Sequence, residues 1–381
     1  MRLSRRGDIP AFVVMEMSKA AFEMQRAGRQ VFHMEVGQPA TRAPALARAA
    51  AARALDEDLL AYTDANGAPA LRRRVARFYA DRYGVEIDPE RVIATTGSSA
   101  GFVLTFLAAF DAGARVAIAA PAYPCYRNVL GAVDVEVVPI PVGPDTHYQV
   151  TPEILSAHGP LDGVIVASPS NPTGSIIDAA AMRALCDWCR AADATLVSDE
   201  IYHGLEYAAP AVTAAAYDEN AIVVNSFSKY FSMTGWRIGW MLAPPAFVRA
   251  VEKLGQNLYI SPPTISQIAA TAAFDASEEL DGHVERYREN REIVLAGLPA
   301  VGITRFAPPD GAFYVYADVS HLTDDSVRFC RELLEATGVA VTPGVDFDRE
   351  RGHTTLRISY ARSADTVREA MRRMAEFASR K

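Results

Sequence analysis

Lys229 stands in the stretch NSFSKYFSMTGWRIGW, directly after the apolar run AIVV, and it is one of only four lysines in 381 residues. The others are Lys19, Lys253 and Lys381; every other one of the 38 basic residues is arginine. A guanidinium serves as a cation or an anion clamp, but it does not lose a proton to become a nucleophile, whereas an amine does. A lysine chosen where arginine prevails therefore points to amine chemistry at Lys229. The alternative, a solvated loop lysine, suits Lys19 and Lys253 on polar helix faces better than it suits a strand end.

Other reactive groups follow apolar runs in the same way. In TLVSDEIY, Asp199 closes an apolar strand, where an ionised carboxylate is costly without a cationic partner. Its alternative is a salt bridge to a local arginine. Tyr202, three residues on, brings a phenol to the same crevice, while Glu200 points the other way from a strand. In ATTGSSAGFVLTF, Gly97 permits a tight turn, and Ser98 and Ser99 sit where a helix begins, so free N–H groups and hydroxyls converge as in a phosphate cradle. An ordinary serine N-cap is the competing reading. Arg237, in MTGWRIGW, and Arg357, heading RISYA, are each suited to a bidentate clamp on phosphate or carboxylate or to a structural ion pair. No G-x-G-x-x-G and no G-x-x-x-x-G-K-[ST] is present, so neither dinucleotide nor P-loop binding is supported.

These residues need a scaffold that gathers strand ends. From about residue 92 the runs RVIATTG, RVAIAAPAY, VEVVPIPV, GVIVASPSNPTG, TLVSDEIY, AIVVNSFSK and RIGWMLAP alternate with helical stretches. Several are continuously apolar, as in strands covered by helices on both faces, which predicts a doubly wound α/β core with a mostly parallel seven-stranded sheet. Ligands in such sheets bind beyond the carboxyl ends of the strands. Ser98, Ser99, Tyr123, Asn171, Asp199, Tyr202, Ser226, Ser228 and Lys229 all fall there. After about residue 280 a long charged helix, GAFYVYADV, another helix and TTLRISYA predict a smaller α+β domain. The expected division is 43–279 for the large domain, with 1–42 and 280–381 forming the small one.

Composition narrows the partners. A net charge of −8 excludes a general basic face for nucleic acid. AFVVM stops at Glu16, too short for a secretory segment, and AGFVLTFLAAF falls short of the ~20 residues that span a bilayer. No membrane is expected, and a cytoplasmic location is. Four cysteines are few for this length and fit a reducing compartment. Cys186 and Cys189 form a C-x-x-C late on a helix, with no second ligand pair, so a structural role is expected and no metal.

Together the pieces ask for a ligand with a phosphate, an aromatic ring carrying a basic nitrogen, and an aldehyde for the lysine. Pyridoxal 5'-phosphate has all three. From MEVGQP and YTDANGAPALR through PAYPCY, SPSNPTG, SDEIY and SFSKYFSMTGWRIGW to GAFYVY, TPG and LRISYA, the chain resembles the class I/II aminotransferases of the fold type I pyridoxal phosphate family. The resemblance implies exchange of an amino group between an amino acid and a 2-oxo acid by a ping-pong mechanism, with Lys229 forming the internal aldimine and shuttling the proton. It implies that Asp199 pairs with the pyridine nitrogen, that Tyr202 and Asn171 bond the ring 3-oxygen, and that Tyr123 stacks on the ring. Ser98, Ser99, Ser226, Ser228 and Arg237 would hold the phosphate, with Tyr62 reaching in from the neighbouring subunit of a homodimer. Arg357 would grip the substrate carboxylate, assisted by the backbone at Gly37.

Two departures bear on the substrate. Ser99 stands where some aspartate-specific relatives carry a lysine, which argues against a dicarboxylate. Asp348 stands where many relatives have glycine, and Arg349 and Arg351 beside it either face solvent or reach a substrate side chain. Two rival activities belong to the same scaffold: a β-lyase cleaving a carbon–sulfur bond, and a non-catalytic ligand sensor. The sensor would need a preceding DNA-binding domain, and fewer than forty residues stand before VGQP.

Overall fold

The computed structural model describes residues 3–380, so Lys381 lies outside the described residues. Helix α1 (Val13–Arg26) and the two-residue strand β1 (Phe32–His33) lead into α2 (Ala45–Glu57) and α3 (Pro69–Tyr83). The central sheet then forms from β2 (Val92–Thr95), β3 (Arg115–Ala120), β4 (Glu136–Pro141), β5 (Gly163–Ala167), β6 (Thr195–Asp199), β7 (Ile222–Ser226) and β8 (Gly239–Leu242). Between them run α4 (Ser98–Ala109), α5 (Pro124–Ala132), α6 (Pro152–Ser156) and α7 (Ala179–Ala192), and after them α8 (Pro245–Leu258) and α9 (Thr264–Ala273). The strand order is β2-β8-β7-β6-β5-β3-β4, parallel except for β8, which is antiparallel to both neighbours. The seven-stranded α/β sheet expected from the apolar runs is therefore present.

Burial explains the patterns. Every residue of β2, β7 and β8 is buried, because helices cover both faces, and these strands read as unbroken apolar runs. Strand β4 alternates instead, and it carries Pro139 and Pro141, as befits an edge that forms no further ladder. Helix α7 is capped by Asp178, which accepts from the Ala181 N–H at 2.8 Å. Its inward stripe is Met182, Leu185, Cys186 and Cys189, at helical spacing. All four cysteines are buried and unbonded, and burial pushes the thiols of Cys125, Cys186 and Cys189 up to about 12 and that of Cys330 higher still.

A second body is built from the two ends of the chain. Helix α10 (Ser277–Gly297) is followed by β9 (Tyr314–Asp318), α11 (Ser326–Thr337), β10 (Val339–Ala340), β11 (Thr342–Pro343), β12 (Thr355–Ser359) and α12 (Ala364–Ala378). Strand β12 lies between β11 and β9, antiparallel to both, and β1 pairs with β10 in parallel. Met17, Met34, Val294, Val315, Leu333, Ile358 and Met374 belong to one hydrophobic core, so helices and strands from both ends share it. This core places β9 and β12 opposite the carboxyl ends of β5, β6 and β7, where the strand-end residues emerge.

Candidate active site

A cavity of about 230 Å³ opens at those strand ends. Its wall contains Ser98, Ser99, Tyr123, Asn171, Asp199, Tyr202, Ser228, Lys229, Arg237 and Arg357, together with Gly37. Residues from seven separate segments thus meet in one volume at the strand ends.

At one end, Gly97 is the N-cap of α4, with φ 81° and ψ 169°, and no side chain caps the helix. Ser98 and Ser99 occupy the first helical turn, so the serine N-cap reading does not hold; the leading amides remain free to donate. Arg237 covers the turn. Its Nη1 donates to Thr234 O at 2.8 Å and to Ser228 Oγ at 3.4 Å, and its Nη2 to Thr96 O at 3.4 Å. Ser226 does not line the cavity: its hydroxyl lies 2.9 Å from Ser228 Oγ and 3.1 Å from Ile238 O, with one proton to donate between them, and it accepts the Ser228 N–H. Free amides, hydroxyls and a guanidinium at a helix N-terminus form an anion site.

In the middle, Lys229 Nζ donates to Gly37 O at 2.6 Å and lies 5.7 Å from the Tyr202 ring centre. Burial, then the nearby Arg357 cation, pull this amine down to about 8, with Asp199 acting in the opposite sense and Arg237 adding a smaller pull downward. Among the described residues, Asp199 has no arginine partner. Its carboxylate accepts from the Tyr126 hydroxyl and from the Ile201 N–H at 3.1 Å. Burial raises it to about 6 against the lowering effect of those donors and of Lys229, so it is mostly ionised at neutral pH. Glu200, on the opposite side of the strand, is fully buried, accepts from Ala214 N and Ser198 Oγ, and is pushed up to about 8 by burial.

At the other end, Arg357 donates from Nη1 to Asn171 Oδ1 at 2.7 Å and from Nη2 to the Glu35 carbonyl and Thr342 Oγ1. Its guanidinium carbon sits 4.3 Å from the Tyr314 ring centre. Because Asn171 presents its carbonyl oxygen to Arg357, its amide N–H groups are available as donors.

Tyr62 does not reach this cavity; its residue is 79% exposed. Arg349 and Arg351 also lie elsewhere. They line a larger cavity, about 690 Å³, beside the outer strands β3 and β4, where Arg351 pairs with buried Asp348 at 2.8 Å. In this chain the loop arginines do not meet the Lys229 site.

The family model for aminotransferase class I and II matches residues 29–374. The chain belongs to the class I and II aminotransferases. This aminotransferase is 50% identical over 381 residues to the valine–pyruvate aminotransferase of Mycobacterium tuberculosis, covering 99% of this chain and 98% of that protein. It is 34% identical over 372 residues to a (5-formylfuran-3-yl)methyl phosphate transaminase of Methanocaldococcus jannaschii, covering 96% of each. The crystal structure of an aminotransferase from Mycobacterium tuberculosis superposes with a TM-score of 0.98 at 49% identity, over the whole of both chains. The family exchanges amino groups between amino acids and 2-oxo acids with pyridoxal phosphate, and this aminotransferase is an enzyme of that kind.

Several residues of the site were given no individual role by the sequence. Tyr126 and Tyr314 are aromatic residues in apolar segments, indistinguishable there from core. Phe12, Val14, Met15, Val36 and Ile201 form an apolar wall from three distant segments. No helix among the described residues is long and apolar enough to cross a membrane.

Proposed function

We propose that the enzyme holds pyridoxal 5'-phosphate in this cavity and uses it to move the amino group of an apolar amino acid to a small 2-oxo acid such as pyruvate. The donor set fits the cofactor. An anion cradle stands at α4, an ionised carboxylate lies deep in the sheet, and a lysine of lowered basicity lies between that carboxylate and Arg357. Gly97 supports the fit, because an added Cβ would stand 2.1 Å from Arg237 Nη2 and fill the cradle.

Bound there, the cofactor supplies an aldehyde for amine exchange and a ring that stabilises charge at the substrate α-carbon. Ser98, Ser99, Ser228 and Arg237 bind its phosphate, with Ser226 fixing the Ser228 hydroxyl. Asp199, kept ionised by Tyr126 and the Ile201 amide, holds a proton on the ring nitrogen. Tyr202 and Asn171 would donate to the ring 3-oxygen, and Tyr123 would flank the ring. Lys229 Nζ, neutral in a large fraction of molecules near pH 8, would be the amine offered to the cofactor's aldehyde and would carry the proton to and from the α-carbon. Arg357 clamps the α-carboxylate beside the Gly37 backbone.

The observation that carries the substrate class is the cation count. Of the three cations in the wall, Lys229 is the nucleophile, Arg237 covers the phosphate end and Arg357 serves the α-carboxylate. Among the described residues of this chain none is left for a second carboxylate, and Phe12, Val14, Met15, Val36 and Ile201 face the remaining space. Burying an unpaired side-chain carboxylate against that wall costs several kcal/mol. The name of the valine–pyruvate relative supports the same class. Following loss of the lysine-bound cofactor absorbance across the standard amino acids without oxo acid tests it. Valine and other apolar amino acids should react with kcat/KM roughly a hundredfold above aspartate. Aspartate or glutamate as the fastest donor overturns the substrate class, and catalytic release of pyruvate and ammonia overturns transfer in favour of β-elimination.

The assembly proposed is a homodimer with shared sites. Leu55, Leu59, Tyr62, Leu258 and Ile260 are 50–89% exposed, an apolar surface that a second copy would cover, and Tyr62 would then reach the partner's phosphate. Residues 43–279 form the proposed large domain, with 1–42 and 280–381 the small one, and buried unbonded cysteines support a cytoplasmic setting. Sedimentation at micromolar protein tests the dimer, a purely monomeric mass being the adverse result. Limited proteolysis tests the division, cleavage scattered through 43–279 before the 42/43 and 279/280 joints being adverse. Cell fractionation tests the location, recovery outside the cytoplasm being adverse.

A further inference from the structure

Among the described residues, the hydrogen-bond partner of the Tyr202 hydroxyl is the Tyr314 hydroxyl, 2.7 Å away and contributed by β9 of the second body. Tyr202 and Tyr314 are 4% and 1% exposed, and burial raises the pKa of each phenol, so both are neutral in the working range. Two neutral hydroxyls at this distance share one proton direction: one donates and the other accepts. Their surroundings decide which. Arg357 packs its guanidinium on the Tyr314 ring, 4.3 Å from its centre, and is the foremost influence making the Tyr314 phenol more acidic. The more acidic hydroxyl donates, and the less acidic one accepts. Tyr202 then has its own proton free for the cavity.

Two further contacts hold Tyr314 in this place. A Cβ on Gly37 would stand 1.7 Å from Tyr314 Oη, so the main chain at Gly37 closes against the hydroxyl with no room for a side chain. The Gly37 carbonyl, in turn, accepts from Lys229. Tyr314 therefore touches Tyr202 through its hydroxyl, Arg357 through its ring face, and the Gly37 backbone at its tip.

We propose that Tyr314 is a positioning residue: by donating to Tyr202 Oη it turns the Tyr202 proton toward the ring oxygen of the cofactor and strengthens Tyr202 as a donor. The inference rests on the pyridoxal phosphate reading above. It adds a residue from the second body to the control of the cofactor's ring oxygen, and it makes Arg357, the carboxylate clamp, an indirect contributor to the same hydrogen-bond chain. Hydrogen bonds in such chains reinforce one another by a modest fraction.

The test is the pH midpoint of the bound cofactor's absorbance change in the holoenzyme. The ionisable groups facing the tyrosine pair, Asp199, Lys229, Arg357, Tyr123 and Tyr360, stay unchanged in every variant. Tyr314→Phe keeps the ring under Arg357 and removes only the hydroxyl. It should raise the midpoint by a few tenths of a pH unit, because a weaker donor leaves the cofactor holding its proton more tightly. Tyr202→Phe should raise it further, and the double variant should match Tyr202→Phe, since Tyr314 acts only through Tyr202. Gly37→Ala, which drives Tyr314 Oη away without altering either tyrosine, should reproduce the rise. A Tyr314→Phe midpoint equal to the unaltered enzyme overturns the proposal, as does a Tyr314→Phe shift that persists undiminished in the Tyr202→Phe background. Should Tyr314→Phe fail to fold, an unshifted midpoint in Gly37→Ala overturns it. An unaltered enzyme that shows no lysine-bound absorbance overturns the cofactor reading itself and this inference with it.

Discussion

Replacing Gly97 with alanine should separate backbone strain from cofactor binding. At φ 81° and ψ 169°, Gly97 occupies a conformation nearly closed to residues with a Cβ, and forcing one there costs about 1–3 kcal/mol. That cost is the same with and without cofactor, so it lowers stability and leaves affinity untouched. The second effect is local. The new methyl would stand 2.1 Å from Arg237 Nη2 and 2.9 Å from Cζ. Ordinary contact is ~3.5 Å, so the guanidinium must retreat by more than about 1 Å. Its bonds to Ser228 Oγ and Thr96 O, both at 3.4 Å, are already long and give way first. Losing one charge-assisted bond to a phosphate costs ~2 kcal/mol, or roughly a 30-fold rise in the cofactor Kd. Titrating the cofactor-free protein with pyridoxal phosphate, alongside urea denaturation, reads both quantities. Arg237→Ala is the companion: a similar loss of affinity without the strain. If Gly97→Ala loses stability yet binds the cofactor as tightly as the unaltered protein, Arg237 is not the phosphate clamp.

Lys229 makes a prediction about stability. Its pKa of about 8 lies below the ordinary 10.5, so the fold disfavours the charged amine by about 3 kcal/mol at pH values below 8. Because the folded value is the lower one, the group's stabilising contribution is present above the ordinary value and is lost as pH falls through 8. Lys229→Met should therefore stabilise the cofactor-free protein at pH 7 by up to about 3 kcal/mol, less ~1 kcal/mol for the orphaned Gly37 carbonyl. The gain should fade as pH rises toward 10.5, and denaturation curves showing the same difference at pH 7 and pH 10 contradict the argument. Tyr62→Phe removes a hydroxyl that a single chain leaves exposed; contact with the partner's phosphate predicts about a fivefold to tenfold weaker cofactor Kd. Unchanged affinity in a protein shown to be dimeric rules that contact out.

Much of the site was legible because strand ends are legible. A buried parallel strand is an unbroken apolar run, and the residue after it must emerge at the crevice, so Asp199, Asn171 and Lys229 could be placed from their neighbours alone. The scarcity of lysine then separated Lys229 from an ordinary cation. What the pattern could not supply were contacts between the two bodies. Tyr314 meets Tyr202 across 112 residues, and only the packing of β9 against the sheet brings them together. Tyr126 was hidden for a related reason: its ring is core, and only its terminal oxygen works on Asp199. At α4 the letters left the cradle and the serine N-cap as two readings, and only the backbone separates them. Gly97 adopts a backbone that places the cap itself at glycine, leaving Ser98 and Ser99 inside the helix, and a string of letters contains no dihedral. Ser226 is buried behind the cavity wall, and its hydroxyl meets the site through that of Ser228.

The cysteines have a practical meaning. All four thiols are buried, and each is pushed up by burial, so the thiolate that reacts with maleimides or oxidants is scarce as well as shielded. For labelling chemistry the native fold behaves as a thiol-free background. A single cysteine introduced at exposed Asp365 on α12, away from the proposed subunit contact, would be the one site a dye finds, giving a reporter of subunit exchange without first removing any native residue.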